Sequence, residues 1–269
     1  MCTTGAIILG ENEYLLFKNK DFARAKYSDR VISNRDFFGP RGLETFNQSQ
    51  PGSDVHSGLS CGTNKYGLMV GVNHVKKTEP DHANYDVLVE MVLSEARDVQ
   101  SAKQLIEEYI GHQPCWWGNL VMTDGKTVAA IEVRDQEMRV DENATRIVRT
   151  NHQILFGEDK SPDGIICSHK RYFSADLRLS IIDSTEEIFD MLTAHDNGSY
   201  GICNHQKTMN TVYSYVIHRN PKRVRIYVCQ GNPCKSKRAT MRIPLGKGWS
   251  PEAAKKFIAQ YPGAKEATI

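Results

Sequence analysis

No run of apolar residues approaches the roughly 18 that a membrane-crossing helix requires, so a helical span is not expected. A secretory leader is missing as well. No basic segment precedes the first apolar stretch, and Glu11 and Glu13 interrupt it. Like charges are nowhere massed: 34 Lys and Arg face 32 Asp and Glu, a net charge of +2 over 269 residues. That balance argues against a nucleic-acid partner, and NPKRVR at 220–225, which mixes basic with apolar residues, reads as the solvated face of a strand. Seven cysteines is an odd number, in a chain long enough to bury a core without staples. Reduced thiols and a cytoplasmic location fit this better than a disulfide framework, and the sequons at Asn143 and Asn197 then carry no meaning. Internal repeats and long linkers are absent too, so residues 1–269 read as a single domain.

What is present is alternating β-prone segments and three helical stretches. GAIILGENEYLLFKNKDF reads as a hairpin turning at Gly10-Glu11-Asn12, and residues 24–58 as polar loops with short strands. SCGTNKYGLMVGVNHV forms a second hairpin turning at 64–67. Val87, Leu88, Met91, Val92 and Ala96 repeat at helical spacing, and Ser101 is read as the cap of a following helix. WWGNLVMTDGKTVAAIEV predicts two strands about a type I′-like Asp124-Gly125 turn, and ATRIVRTNH one more. Residues 168–195 predict two helices, the second capped by Asp183 or Ser184. TVYSYVIHRNPKRVRIYVC predicts a strand pair joined at Asn220-Pro221, and PEAAKKFIAQY a last helix with Pro251 in its first turn. Strands and helices come in blocks without βαβ alternation, which favours stacked, mostly antiparallel sheets with helices outside them.

The residue that raises a chemical question is Cys2. Removal of Met1 would leave a thiol and an α-amine on one residue at the head of a strand. Their ordinary pKa values, about 8.5 and about 7.7–8.0, are close enough for the amine to serve as the base of the thiol without a histidine. The hairpin returns Lys18, Asn19 and Asp21 beside that end. The Asp21 carboxylate could bond an α-ammonium, and Lys18 could favour a thiolate. On position alone, Cys2 is only a small residue after Met1.

The segments MCTT…FKNKDF, GTNKYGLMVGVNHV, GNLVMTDGKTVAAIEV, RTNH, SHKRYFSADLRL and GICNH…TVYSYVI…VCQGNPC together resemble, in order, the N-terminal nucleophile (Ntn) hydrolases. The likeness is to the group of acyl-coenzyme A:6-aminopenicillanic acid acyltransferases, penicillin V acylases and choloylglycine (bile salt) hydrolases. The resemblance implies an α+β fold, a four-layer αββα sandwich. It implies an amidase or acyltransferase that cleaves a linear amide C–N bond of a small-molecule substrate through an acyl-enzyme. By position it makes Cys2 the nucleophile, Asp21 the orienter of the amine, Asn151 and Asn73 the oxyanion donors, and Arg171 the charge that holds the Cys2–Asp21 neighbourhood. Lys18 stands where bile salt hydrolases carry arginine, and an ammonium is not a planar fork. No cofactor or metal is implied. With only Met1 ahead of Cys2, no propeptide is expected.

Other readings stand beside these. Asn73 and Asn151 could satisfy backbone groups at strand ends, and Arg171 could pair at the surface with Asp176 or Glu158. Trp116-Trp117 could be core or pocket lining, and His74 and His152 follow the two oxyanion candidates without being needed as bases. Cys203, His205, Cys229 and Cys234 could instead make a zinc- or ligand-binding module without catalysis, although their spacing is not that of CxxC knuckles. Loops 24–58 and 76–86 are expected to shape the pocket. Hydrolysis against acyl transfer, and a homo-oligomer against a monomer, stay open.

Overall fold

The computed structural model describes residues 1–22, 27–43, 55–157, 162–207, 209–264 and 266–268. Its elements run β1 (Cys2–Gly10), β2 (Glu13–Phe22), β3 (Arg30–Ser33), β4 (Phe37–Pro40), β5 (Cys61–Asn64), β6 (Met69–Lys76), α1 (Asp86–Glu95) and α2 (Val99–His112). There follow β7 (Cys115–Thr123), β8 (Val128–Asp135), β9 (Glu137–Asn143), β10 (Arg146–Arg149), α3 (Pro162–Leu179) and α4 (Thr185–Leu192). The chain closes with β11 (Asn210–Asn220), β12 (Arg223–Gln230), β13 (Ala239–Arg242), α5 (Pro251–Gln260) and β14 (Glu266–Thr268).

One sheet has the order β10-β1-β2-β11-β12-β13 and the other β14-β3-β4-β5-β6-β7-β8-β9. Among the described residues, the pairings between these strands are antiparallel except β14 with β3. The sheets stack over a core that includes Leu16, Phe38, Cys61, Met69 and Tyr215. Outside the second sheet, α1 and α2 bury Leu88, Val92 and Ile106 on Val72, Leu120 and Ile131. Outside the first, α3 and α4 bury Ala175, Leu179, Ile188 and Leu192 on Ile7, Leu15 and Phe17. Phe257 of α5 meets Phe38 edge-on. Each of these larger apolar side chains contributes about 1.5–3 kcal/mol on leaving water, and the result is the four-layer αββα sandwich.

Strand period explains how β1 and β2 serve two layers at once. Lys18 and Lys20 point into the space between sheets: Lys18 Nζ donates to the carbonyls of Ser60 (2.9 Å) and Val72, and Lys20 Nζ lies 3.0 Å from Asp29 Oδ1. Asn19, between them, points the other way and donates to the carbonyls of Leu192 and Ile202, 2.9 Å each. A cation with no water around it is costly unless bonded, so both lysines tie the two sheets together.

Several local expectations are corrected. The cap of α2 is Asp98, the last extended residue, while Ser101 sits at the third helical position and completes a reciprocal capping box. Residues 124–127 join β7 to β8, with Asp124 Oδ1 accepting from the amides of Lys126 and Thr127, rather than a two-residue type I′ turn. In α1, Val89 and Leu93 take buried places assigned to Val87 and Met91, because the helix faces its sheet about one residue round. The helix α3 begins at Pro162, before the expected 168. The Asn64 turn holds as read: Gly67 has φ +101°, which suits glycine, and Asn64 Oδ1 accepts from the amides of 66–68.

Candidate active site

Strand β1 starts at Cys2, paired in register with Lys20, while Thr4 pairs with Lys18. β1 lies inside the sheet, with β10 beside Thr4–Ile7 and β2 along its whole length, while Cys2 and Thr3 extend past the end of β10 and pair with β2 alone. The first two residues are placed by β2 and by side-chain bonds. Cys2 N donates to Asn151 Oδ1 at 2.6 Å, and the Met1 amine donates to the Asp21 carbonyl at 3.3 Å and to Met209 Sδ at 3.5 Å.

Arg171 organises the other side. It is fully buried on α3, on the stripe Ser168, Arg171, Ala175 and Leu179 that faces the sheet. Its guanidinium donates to the Cys2 carbonyl (3.0 Å), to Asn151 Oδ1 (2.9 Å) and to the Cys167 carbonyl (3.3 Å), and lies 3.7 Å from Asp21 Oδ2. The surface pairing read for Arg171 is thus replaced by a buried one, and Glu158 lies outside the described residues. One turn earlier on α3, Ser168 Oγ accepts from the Asn151 amide at 2.8 Å. Asn119 Nδ2 braces the same loop through the carbonyls of Thr150 (3.0 Å) and His152 (2.7 Å).

Asp21 is buried where the β2–β11 register slips between Thr211 and Tyr213, a bulge that re-aims side chains. Its oxygens accept from Thr211 Oγ1 (2.8 Å) and Asn204 Nδ2 (3.2 Å). Burial pushes the carboxyl up, opposed by the amine, Arg171, Thr211 and Asn204. Burial pushes the N-terminal amine down; Cys2 and Asp21 oppose this, and Arg171 and Lys18 add to it. Arg171 is itself lowered by burial. His74 is pushed down to about 3, chiefly by burial, and His152 to about 4 by burial with His169, Arg171 and Arg149, so both imidazoles are neutral near pH 7.

The structure brings Cys2, Asp21, Asn151 and Arg171 into one hydrogen-bonded cluster. Asn151 Nδ2 donates to the His74 carbonyl at 2.5 Å. Asn73, one residue earlier, is fully buried and bonded on both sides: its Oδ1 accepts from Thr4 Oγ1 (2.6 Å) and its Nδ2 donates to the Arg149 carbonyl (2.8 Å). Lys18 stays below the cluster on its two carbonyls. Trp116 is buried on Glu79 O, while Trp117 is half-buried against Arg134, 4.0 Å from its ring centre. Of the binding-module set, Cys203, His205 and Cys234 converge, but His195 joins them and Cys229 does not. The Cys229 sulfur instead lies 3.9 Å from the Ser236 carbonyl. Sequence reasoning misses Ser168, Asn119, Asn204 and Thr211. Asn204 lies within the quoted GICNH, but its reach to a carboxylate 183 residues away leaves no mark on local spacing.

Comparison with solved structures returns the same sandwich. Penicillin V acylase from Agrobacterium tumefaciens aligns with a TM-score of 0.50 at 14% identity, covering 85% of this chain and 82% of its own. A variant of the conjugated bile acid hydrolase from Clostridium perfringens gives 0.54 at 12% identity, covering 89% and 96%. The N-acylethanolamine-hydrolyzing acid amidase ortholog of Caenorhabditis elegans gives 0.51 at 11%, covering 80% and 92%. These are Ntn hydrolase folds, and at such identities the likeness speaks for the fold alone. No curated protein sequence matches. Residues 8–233 match one family, and since that span is well over half of the chain and runs from the end of β1 through β12, with Asp21, Asn151 and Arg171 inside it, the chain belongs to the acyl-coenzyme A:6-aminopenicillanic acid acyl-transferase family.

Proposed function

We propose that this protein is a cysteine-nucleophile amidase or acyltransferase that cleaves a linear amide C–N bond of a small-molecule substrate. The observation that carries the reading is the bonding of Asn151, Arg171 and Asp21 around the backbone of residues 1 and 2. Such bonding is unneeded for a chain end that merely completes a sheet. With Met1 removed, the nitrogen of Cys2 becomes an α-amine 2.6 Å from Asn151 Oδ1. A buried amine beside a guanidinium holds its proton weakly, which suits a base working near neutral pH.

In the first step the amine takes the thiol proton and the sulfur adds to the substrate carbonyl. Asn151 Nδ2 turns from the His74 carbonyl to the developing oxyanion, and Asn73 gives the second donor through the amide hydrogen that Arg149 does not take. The ammonium then protonates the leaving amine, the C–N bond breaks and a thioester remains on Cys2. Water, or a second amine, gives its proton to the α-amine and releases the acyl group. Asp21 orients the ammonium, Arg171 fixes Cys2 and Asn151 relative to each other, and Lys18 adds positive charge beneath the thiolate. The names of the compared proteins, a penicillin V acylase, a conjugated bile acid hydrolase and an N-acylethanolamine-hydrolyzing amidase, fit an acyl-amide substrate here.

Blocking the amine isolates its role. Protein carrying an uncleavable N-terminal extension should fail to form an acyl-enzyme in intact-mass measurements with a panel of acyl amides, with an unchanged melting temperature. Placing a protease site immediately before Cys2 and cutting there should restore acylation. Equal acylation rates with and without the extension would reject the amine as base.

A further inference from the structure

Away from Cys2, four nitrogen and sulfur donors meet at one point. His195 follows α4, Cys203 and His205 lie on the segment leading into β11, and Cys234 lies in the turn after β12. One ligand atom from each lies within 4.8 Å of the others. Cys203 Sγ is 3.6 Å from Cys234 Sγ and 3.4 Å from His205 Nε2, and His205 Nε2 is 3.2 Å from Cys234 Sγ. Zinc bonds of about 2.3 Å to sulfur and about 2.0–2.1 Å to nitrogen, at tetrahedral angles, put ligand atoms about 3.3–3.8 Å apart. Three edges of the cluster are within a few tenths of an ångström of those lengths. The His195 ring, 4.9 Å from that of His205 between centres, stands at the fourth corner.

The surroundings hold these donors in place. Cys203 N donates to the Ala194 carbonyl (3.1 Å) and His205 N to the Ser199 carbonyl (3.0 Å), which fastens both to the segment that carries His195. The turn bearing Cys234 closes through the amides of Lys235 and Ser236 on the Asn232 carbonyl. Asn232 Nδ2 also lies 3.8 Å from Cys203 Sγ, an outer-sphere donor of the kind that orients and tunes a thiolate ligand.

We propose that Cys203, Cys234, His195 and His205 form a structural site for a tetrahedral divalent cation of the zinc class, additional to the catalytic cluster. Binding would expel the two thiol protons, and two thiolates with two neutral imidazoles leave the filled site without net charge. The chemistry favours this over a Cys203–Cys234 disulfide, which would leave the convergence of two imidazoles unused. The site also has a reach. Asn204, between two of the ligands, donates to Asp21 Oδ2 at 3.2 Å, and its carbonyl accepts from Asn232 at 2.7 Å. The ion therefore sets the position of a donor to Asp21, a consequence that rests on the functional reading above.

The test uses the full chain, free of affinity tag, reduced and given one equivalent of Zn2+ or Co2+. About one zinc per chain is expected by elemental analysis. The cobalt form should show thiolate charge-transfer bands and the strong visible bands of a tetrahedral ion. Cys234→Ser and His195→Ala, at the surface end of the cluster, should retain the fold by circular dichroism and lose at least nine-tenths of the metal, and Cys203→Ser should do the same if it folds. Cys229→Ser should keep the metal. Absence of stoichiometric binding, full retention by Cys234→Ser, or a mass two units low from a Cys203–Cys234 disulfide would overturn the site. Chelation should slow acylation of Cys2 at least tenfold, with recovery on adding Zn2+, and an unchanged rate would overturn the link to Asp21. A protein that holds zinc but is never acylated would count against the functional reading and leave the site standing.

Discussion

At the scale of single residues, the chain concentrates buried polar groups where the first two residues enter the sheet. Asn151 uses both ends of its amide there, with Oδ1 on Cys2 N and Arg171 and Nδ2 on the His74 carbonyl. Replacing it by alanine is expected to lower kcat about 10²–10³-fold with little change in KM, because the lost donor acts on charge that appears only in the transition state. Steady-state kinetics decides this, and an effect confined to KM would make Asn151 a substrate-binding residue. Cys2→Ala should abolish turnover and acyl-enzyme together while the melting curve stays in place. That Cys2, Asp21, Asn151 and Arg171 come together could be anticipated from the sequence because each sits in a recognisable short segment. Thr211 and Asn204 could not, since a hydroxyl and an amide that steady a carboxylate from another strand look like any polar loop residue.

At the scale of elements, α3 acts as a ruler. Ser168 and Arg171 are three residues apart on one face of it, so a single helix grips Asn151 by its backbone and its side chain at once. Ser168→Ala removes a hydroxyl that accepts from the Asn151 amide, meets His152 Nδ1 and donates to Thr150 Oγ1; the bond to Asn151 alone contributes about 1 kcal/mol. If Ser168 positions Asn151, kcat falls roughly fivefold with KM held, and Ser168→Thr restores part of the loss. A fall in melting temperature with unchanged kcat would mean that Ser168 serves packing alone. The turn at Asn64 and Gly67, the cap of α4 at Ser184 and Pro251 at the start of α5 were readable because turn and cap chemistry is local, whereas the cap of α2 and the turn at 124–127 were misread, since Ser101 and Asp124-Gly125 suit more than one local geometry. The strands β13 and β14 were not, being four and three residues long, and β14 is held by β3 at the other end of the chain.

At the scale of the whole molecule, two sheets are held together by buried charge as well as by apolar contact. Lys18 and Lys20 reach across from β2, and Glu132 of β8 pairs with Arg149 of β10 at 3.2 Å. Buried imidazoles give this assembly a pH dependence. The folded-state value of His74 is about 3 against about 6.5 in an unfolded chain. Between those values the unfolded chain binds the extra proton, so stability rises with pH and is lost as pH falls from about 6.5 toward 3, by up to about 1.4 kcal/mol per unit. His152 acts in the same direction. Asp21, whose carboxyl is raised, acts in the opposite one just above its usual range. Urea unfolding between pH 4 and 7 should therefore show a slope that His74→Gln makes shallower, and an unaltered slope would refute the assignment. The layered architecture was legible from the order of strand and helix blocks, but the lysine bridges were not, because a lysine in a strand reads as a solvated residue. The seating of β1 between β10 and β2 also has a meaning in time. Strand β10 and its cover α3 are synthesised some 145–180 residues after Met1, and until then the first strand has a free flank. An aminopeptidase that needs an extended, accessible end has that interval in which to act, before the sheet draws the amine in. Under the proposed function, removal of Met1 and folding would then compete for the same few residues, and the rate of translation would set the odds between them.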